Sequence, residues 1–165
     1  MTRDYNPKNP IINPLLIKKI NDVRNDTDDN VFLDFLNTLY ESEFLIPVSE
    51  TNIVGSETQL LDFMMIQTDN GGIYIPIFTN YFEMRKLQNT KKEQKALVTD
   101  LYDTTDLLYV MEDAGAMGLV IDPFGINLTL STDFIQNAEQ IMQTQKQSKL
   151  IKEMHNELLT TEAQS

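Results

Sequence analysis

Asp69-Asn-Gly-Gly72 separates two runs of apolar residues spaced at every second position, and this arrangement constrains the fold more than any other feature of the chain. Leu61, Phe63 and Met65 precede it; Ile73, Ile75 and Ile77 follow it. A period of two puts one face of a strand into a core. Asn and Gly tolerate the positive φ of a tight turn, so residues 59–68 and 73–78 are expected to pair as a hairpin. Asp122-Pro-Phe-Gly125 stands in the same way between Gly118-Leu-Val-Ile121 and Ile126-Asn-Leu-Thr-Leu130, and predicts a second hairpin.

Around these strands the apolar period changes to that of helices. Pro14 suits a first helical position, and Leu16, Ile20 and Val23 continue the pattern, with Ile12 and Ile17 placed as a hydrophobic staple. Asp28 and Asp29 favour the positive end of a second helix carrying Phe32, Phe35, Leu36 and Leu39 and ending near Glu41. Phe44-Leu-Ile-Pro-Val48 reads as a short strand, with Pro47 requiring an edge or a strand end. A loop containing Gly55, a helix from Thr79 or Asn80 to about Gln88, a basic loop over 89–95 and a short strand over 96–98 come next. A helix over 100–114 is stopped by Ala114-Gly115, and a last helix starts at Ser131 or Thr132. The fold class is α+β: a mixed, largely antiparallel sheet with packed helices and a long C-terminal helix. Residues 1–12 read as a flexible N-terminal arm, 13–142 as a single domain and 143–165 as a C-terminal helical extension.

Composition narrows the function classes. The chain of 165 residues is 41% hydrophobic and has no cysteine, which excludes disulfides, thiolate zinc sites and cysteine nucleophiles. No apolar run approaches the ~18 residues of a membrane span. The net charge is −12, and its distribution is uneven: no Lys or Arg lies between Arg24 and Arg85, or between Lys95 and Lys146. Such a field repels phosphate backbones, so nucleic acid is not an expected partner, whereas a basic protein would be steered towards it.

Phe44-Leu-Ile-Pro-Val48, Pro76-Ile-Phe-Thr79 leading into a helix, and Glu112-Asp-Ala-Gly-Ala-Met-Gly-Leu-Val-Ile-Asp-Pro123 resemble the SseB N-terminal domain family over roughly residues 28–137. The last string is the most specific, its Ala-Gly-Ala-x-Gly-Leu-Val-Ile core falling at the family's second hairpin. The resemblance implies a mixed α/β fold and a cytoplasmic, bacterial setting. It implies no reaction, cofactor or catalytic residue. Where longer members carry a second domain, this sequence has a helix.

The side chains able to carry chemistry are sparse. His155 is the only histidine and falls in the terminal helix, where a solvated position is expected, so no Ser-His-Asp triad is expected. Asp26, Asp28 and Asp29 lack the Gly and the distant Glu of a calcium loop and read as helix caps. Asp100, Asp103 and Asp106 stand at three-residue spacing, which suits either a dipole-favoured helix face or a carboxylate metal site. Met64 and Met65 read as core filling. No cofactor or metal is expected.

The leading expectation is therefore a non-enzymatic protein-interaction or regulatory module. An acidic, immunity-like neutraliser of a basic protein is the alternative, and a carboxylate-metal enzyme a weaker one. The expected partner is a protein or a second copy, not nucleic acid or membrane. The candidate contacts are the basic group Arg85, Lys86, Lys91 and Lys92, and the apolar group Leu150, Met154 and Leu158, spaced at four residues so as to share a helix face.

Overall fold

Pro14 occupies the first position of α1 (Pro14–Asn25) in the computed structural model of the chain, which describes residues 2–52, 59–87 and 95–163. Its missing N–H is one of those that a helix start leaves without an intrahelical partner. Leu16 and Ile20 are buried, but the staple is not made. Ile12 is 69% exposed, and it is Ile11 that turns inward, into a cluster with Leu45, Phe78, Met84, Ala96 and Val98. α2 (Asp29–Glu41) starts where Asp28 accepts the amide of Asn30 at 2.7 Å, and buries Phe35, Leu36, Leu39 and Tyr40.

The chain divides into two units, Met1–Thr132 and Asp133–Ser165. The described residues of the first unit form two four-stranded sheets. One has the order β1 (Arg3–Asp4), β6 (Ala96–Thr99), β2 (Phe44–Asn52), β3 (Gln59–Phe63). The other has the order β4 (Ile66–Gln67), β5 (Ile73–Ile77), β7 (Ala116–Ile121), β8 (Leu128–Ser131). Leu45 and Phe78 exchange backbone hydrogen bonds of 2.8 and 2.9 Å and tie the two together. α3 (Tyr81–Arg85) follows β5, and α4 (Leu101–Met111) follows β6. A 3-10 turn over Glu112–Ala114 leads from α4 to Gly115, whose φ of 93° ends the helix as its sequence position predicts.

Further expectations are corrected. Residues 59–68 are not one strand: β3 pairs with β2 while β4 pairs with β5, so the segment changes sheet at Met64-Met65, and only Ile66 and Gln67 join the hairpin. The principal neighbour of β5 is β7, running parallel, which periodicity cannot distinguish from an antiparallel partner. Pro47 lies inside β2 rather than at an edge. It pairs with Ala96 on one side, while β3 begins its pairing only at Val48, so no ladder bond is lost on the other. The segment read as an arm supplies β1 in register with β6, and Tyr5 donates its amide to Ala96 at 3.0 Å. The loop expected around Gly55 and residues 89–94 of the basic loop expected over 89–95 lie outside the described residues.

The described residues of the second unit form one continuous helix. With its first residue Thr132 it forms α5 (Thr132–Ala163).

Candidate interaction surface

Polar groups of the first unit gather where the parallel strands β5 and β7 end. Asp122, the residue after β7, has a φ of 46°, a left-handed conformation that Asp and Asn adopt more readily than other non-glycine residues. Its amide extends the pairing by donating to Ile77 O at 3.0 Å, and its carbonyl accepts the amides of Gly125 and Asn127 at 2.9 Å each. The side chain is turned inward and buried. Oδ1 accepts the Thr79 amide at 2.9 Å and Oδ2 the Thr79 hydroxyl at 2.6 Å. Burial pushes the Asp122 carboxyl above its ordinary range, the two Thr79 donors pull it down, and the charge of Glu83 adds to the rise. Both oxygens are engaged, so this carboxylate works as a clamp between β5 and β7. Sequence reading took Asp122 only as a turn residue; an Asp before Pro at a strand end was the available signal.

Next to the clamp, Asn80 caps α3 by accepting the Glu83 amide at 2.8 Å. Glu83 Oε1 accepts from Lys86 Nζ at 2.9 Å, while Oε2 is buried beside Gly125 without a hydrogen-bond partner. The expected basic group is resolved only in part, because Lys91 and Lys92 lie outside the described residues. Lys86 Nζ also stands 5.2 Å from the Phe82 ring centroid, and Arg85 Cζ stands 5.9 Å from that of Tyr81. Both cations are thus engaged on their own short helix.

Two of the three aspartates in the row, Asp100 and Asp103, are engaged in local structure. Asp100 caps α4 by accepting the Asp103 amide at 2.8 Å, and Asp103 Oδ2 accepts from Thr2 Oγ1 at 2.9 Å. Burial pushes Asp100 upward, but hydrogen bonds such as that from Asp103 outweigh it and leave the carboxyl below its ordinary range. Asp26 accepts the Asp28 amide at 2.9 Å, so that acidic run is a turn and a cap. Among the described residues, no group of three or more His, Cys, Asp or Glu side chains is placed to hold a metal ion.

Among the described residues of the first unit, a groove and one helix face stand exposed. Arg3, Asn9, Ile12, Asn13, Thr38 and Glu43 help line an open groove of about 410 Å³, with an Arg3–Glu43 ion pair on its wall. The outer side of α4 shows Tyr102, Asp106, Tyr109 and Val110 to solvent. In the second unit, Leu150, Ile151, Met154 and Leu158 are 55–65% exposed. At 100° per residue they fall within an arc of about 100° on α5. His155 is exposed on the same helix. Of the expected contacts, the helix thus brings Leu150, Met154 and Leu158 together, and adds Ile151.

Residues 16–137 match the family model described as the SseB protein N-terminal domain. No curated protein and no solved structure matches the chain.

Proposed function

The chain belongs to the SseB N-terminal domain family, and on that premise we propose that it is a non-enzymatic protein-interaction module of the bacterial cytoplasm, with α5 as its docking element. The observation that carries this reading is the exposed stripe of Leu150, Ile151, Met154 and Leu158. An exposed apolar face of this width is stabilised when another surface covers it. Of the aspartates at three-residue spacing, Asp100 is engaged as the cap of α4 and Asp103 accepts from Thr2. No helix among the described residues is long and apolar enough to cross a membrane.

The test uses the full chain and the double variant M154K/L158K, which charges the stripe and leaves residues 1–132 unaltered. Wild type should associate, measured by sedimentation and by affinity capture from native extract, and the variant should not, with its circular dichroism unchanged. Equal association by both chains would remove the stripe from the mechanism. Absence of any association by wild type would remove the interaction reading altogether.

A second reading rests on α4, whose exposed face mixes Tyr102 and Tyr109 with Asp106 in a chain of net charge −12. That face suits a basic protein, as an acidic neutraliser requires. Association would then slow steeply as salt is added. A salt-independent rate would refute it.

A further inference from the structure

The segment before α1 covers a sheet edge. β1 is the outermost strand of its sheet, and β6 lies directly inside it. Arg3 faces Val98, Asp4 faces Leu97, and the Tyr5 amide donates to Ala96. Residues 3 and 5 thus stand in hydrogen-bonded pairs, and the backbone polar groups of Ala96 and Val98 point outward, towards β1. The side-chain contacts that hold β1 face solvent. Thr2 Oγ1 donates to Asp103 at 2.9 Å, and Arg3 forms its half-exposed ion pair with Glu43. Tyr5 alone among residues 2–10 is partly buried, its ring stacked on Tyr81 at 5.3 Å. Asn6-Pro-Lys-Asn-Pro10 is exposed throughout, and the amides of Lys8 and Asn9 bond to Asn6 itself. Beyond it, Ile11 is buried in the core and Asn13 is tied to Glu43 and Thr79. The chain is therefore fixed at 11–13, hinged over 6–10 and lightly held at 2–5. We infer that residues 2–5 are a strap that opens without unfolding the domain, and that while closed it keeps β6 from pairing with the β6 of a second copy.

The phase of β6 decides what an open edge accepts. Ala96-Leu-Val-Thr99 carries no charge and no proline, the devices that otherwise keep an edge strand from pairing. In an antiparallel pair of two such edges, Ala96 of one copy meets Val98 of the other and Val98 meets Ala96, so every outward residue falls in a hydrogen-bonded pair. Leu97 then meets its own counterpart on the two-fold axis, in the non-hydrogen-bonded position where side chains come closest. A second copy thus satisfies the same backbone groups that the strap satisfies. Exposed ion pairs contribute little, so the Tyr5 stack and the short ladder hold the strap closed. The edge is short, and weak, concentration-dependent pairing is expected of the open form.

Two measurements on the full chain test this. In native-state hydrogen exchange the Tyr5 amide should open at least about tenfold more often than the Leu45 amide, which joins the two sheets. Because the chain has no cysteine, L97C reports the pairing directly. Y5P removes both the amide that donates to Ala96 and the ring that stacks on Tyr81. R3E sets two carboxylates against each other and leaves the backbone intact. Under mild oxidation, L97C should cross-link with itself about tenfold faster when either change is added than when the strap is unaltered. D4C/L97C should close within its own chain and stay monomeric. A96C should not cross-link with itself in the Y5P chain, because Ala96 meets Val98 of the second copy. All cross-linking is done in the M154K/L158K background, so that α5 takes no part and failure here leaves the reading of α5 untouched. Equal exchange of the Tyr5 and Leu45 amides would overturn independent opening. Y5P/L97C and R3E/L97C chains that both stay monomeric would overturn the pairing of β6. Cross-linking of L97C that is equally fast with the strap unaltered would show that the strap guards nothing, and efficient self-linking of A96C would overturn the register.

Discussion

The carboxylate of Asp122 takes both the backbone amide and the hydroxyl of Thr79, joining residues 43 positions apart at the ends of two parallel strands. The pair fixes β5 against β7 through one side chain. D122A removes both acceptors, leaves the buried Thr79 amide and hydroxyl without them, and keeps a left-handed backbone that Ala tolerates less well than Asp. We expect a loss of about 2–4 kcal/mol in urea unfolding. D122N retains an acceptor for the amide and offers a donor to the hydroxyl, so it should lie within about 1 kcal/mol of wild type at neutral pH. Equal stabilities for D122A and wild type would show that the clamp is idle.

Asp122 and Glu43 should give opposite pH dependences. Burial raises the Asp122 carboxyl in the folded chain above its ordinary 3.8, so the folded state holds that proton more tightly than the unfolded one. Its contribution is full below 3.8 and is lost as pH rises through the folded value. The hydrogen bond from Arg3 lowers Glu43 from 4.5, so its contribution is full above 4.5 and is lost as pH falls through the folded value. D122N should therefore gain on wild type as pH rises from the acid range to neutrality, and E43Q should lose on it. Added salt should shrink the E43Q difference, because that ion pair is half-exposed, and leave the D122N difference nearly unchanged. Urea midpoints across the acid limb measure both; flat differences would contradict the assignments.

Two glycines should fail for different reasons. A Cβ at Gly118 would lie 2.2 Å from the Leu130 carbonyl oxygen and 3.0 Å from Ser131 Cα, so β7 and β8 must separate to admit it. At Gly115 the nearest atom to a Cβ is Ile73 Cδ1 at 3.6 Å, an ordinary contact, and only the φ of 93° resists. G118A should cost about 2 kcal/mol or more and G115V about 1–2 kcal/mol. Asn should largely restore position 115, because it tolerates left-handed backbone, and should not restore 118. Thermal unfolding of these variants separates the two causes.

What the sequence disclosed followed the range of each signal. Pro14, Asp28 and Gly115 act within a turn of themselves, and the helix ends they predict are found. The break at Met64-Met65 was invisible because alternation continues straight through it while the pairing partner changes from β2 to β5. Parallel pairing of β5 with β7 likewise leaves no mark on either strand. The Thr79–Asp122 bond depends on that pairing, so an Asp before Pro at a strand end was its one local sign and its partner was hidden. Leu150, Met154 and Leu158 were readable because helical spacing alone brings them to one face.

Asn13 offers the sharpest separation of local from tertiary roles. It precedes α1 at the cap position, yet its side chain makes no capping bond. Its Nδ2 instead donates to Glu43 O and Thr79 O, each at 2.8 Å, tying the helix start to the beginning of β2 and the end of β5. At ordinary N-caps Asp serves as well as Asn, because both supply an acceptor oxygen. Here two donors are needed, and a carboxylate would face two carbonyl oxygens. N13A should lose about 1–3 kcal/mol, the cost of two part-buried carbonyls left without partners. N13D should lose at least as much, reversing the usual capping order. Urea unfolding of N13A, N13D and N13S at neutral pH decides the point, since recovery by Asp or Ser would mean that position 13 acts through its cap after all.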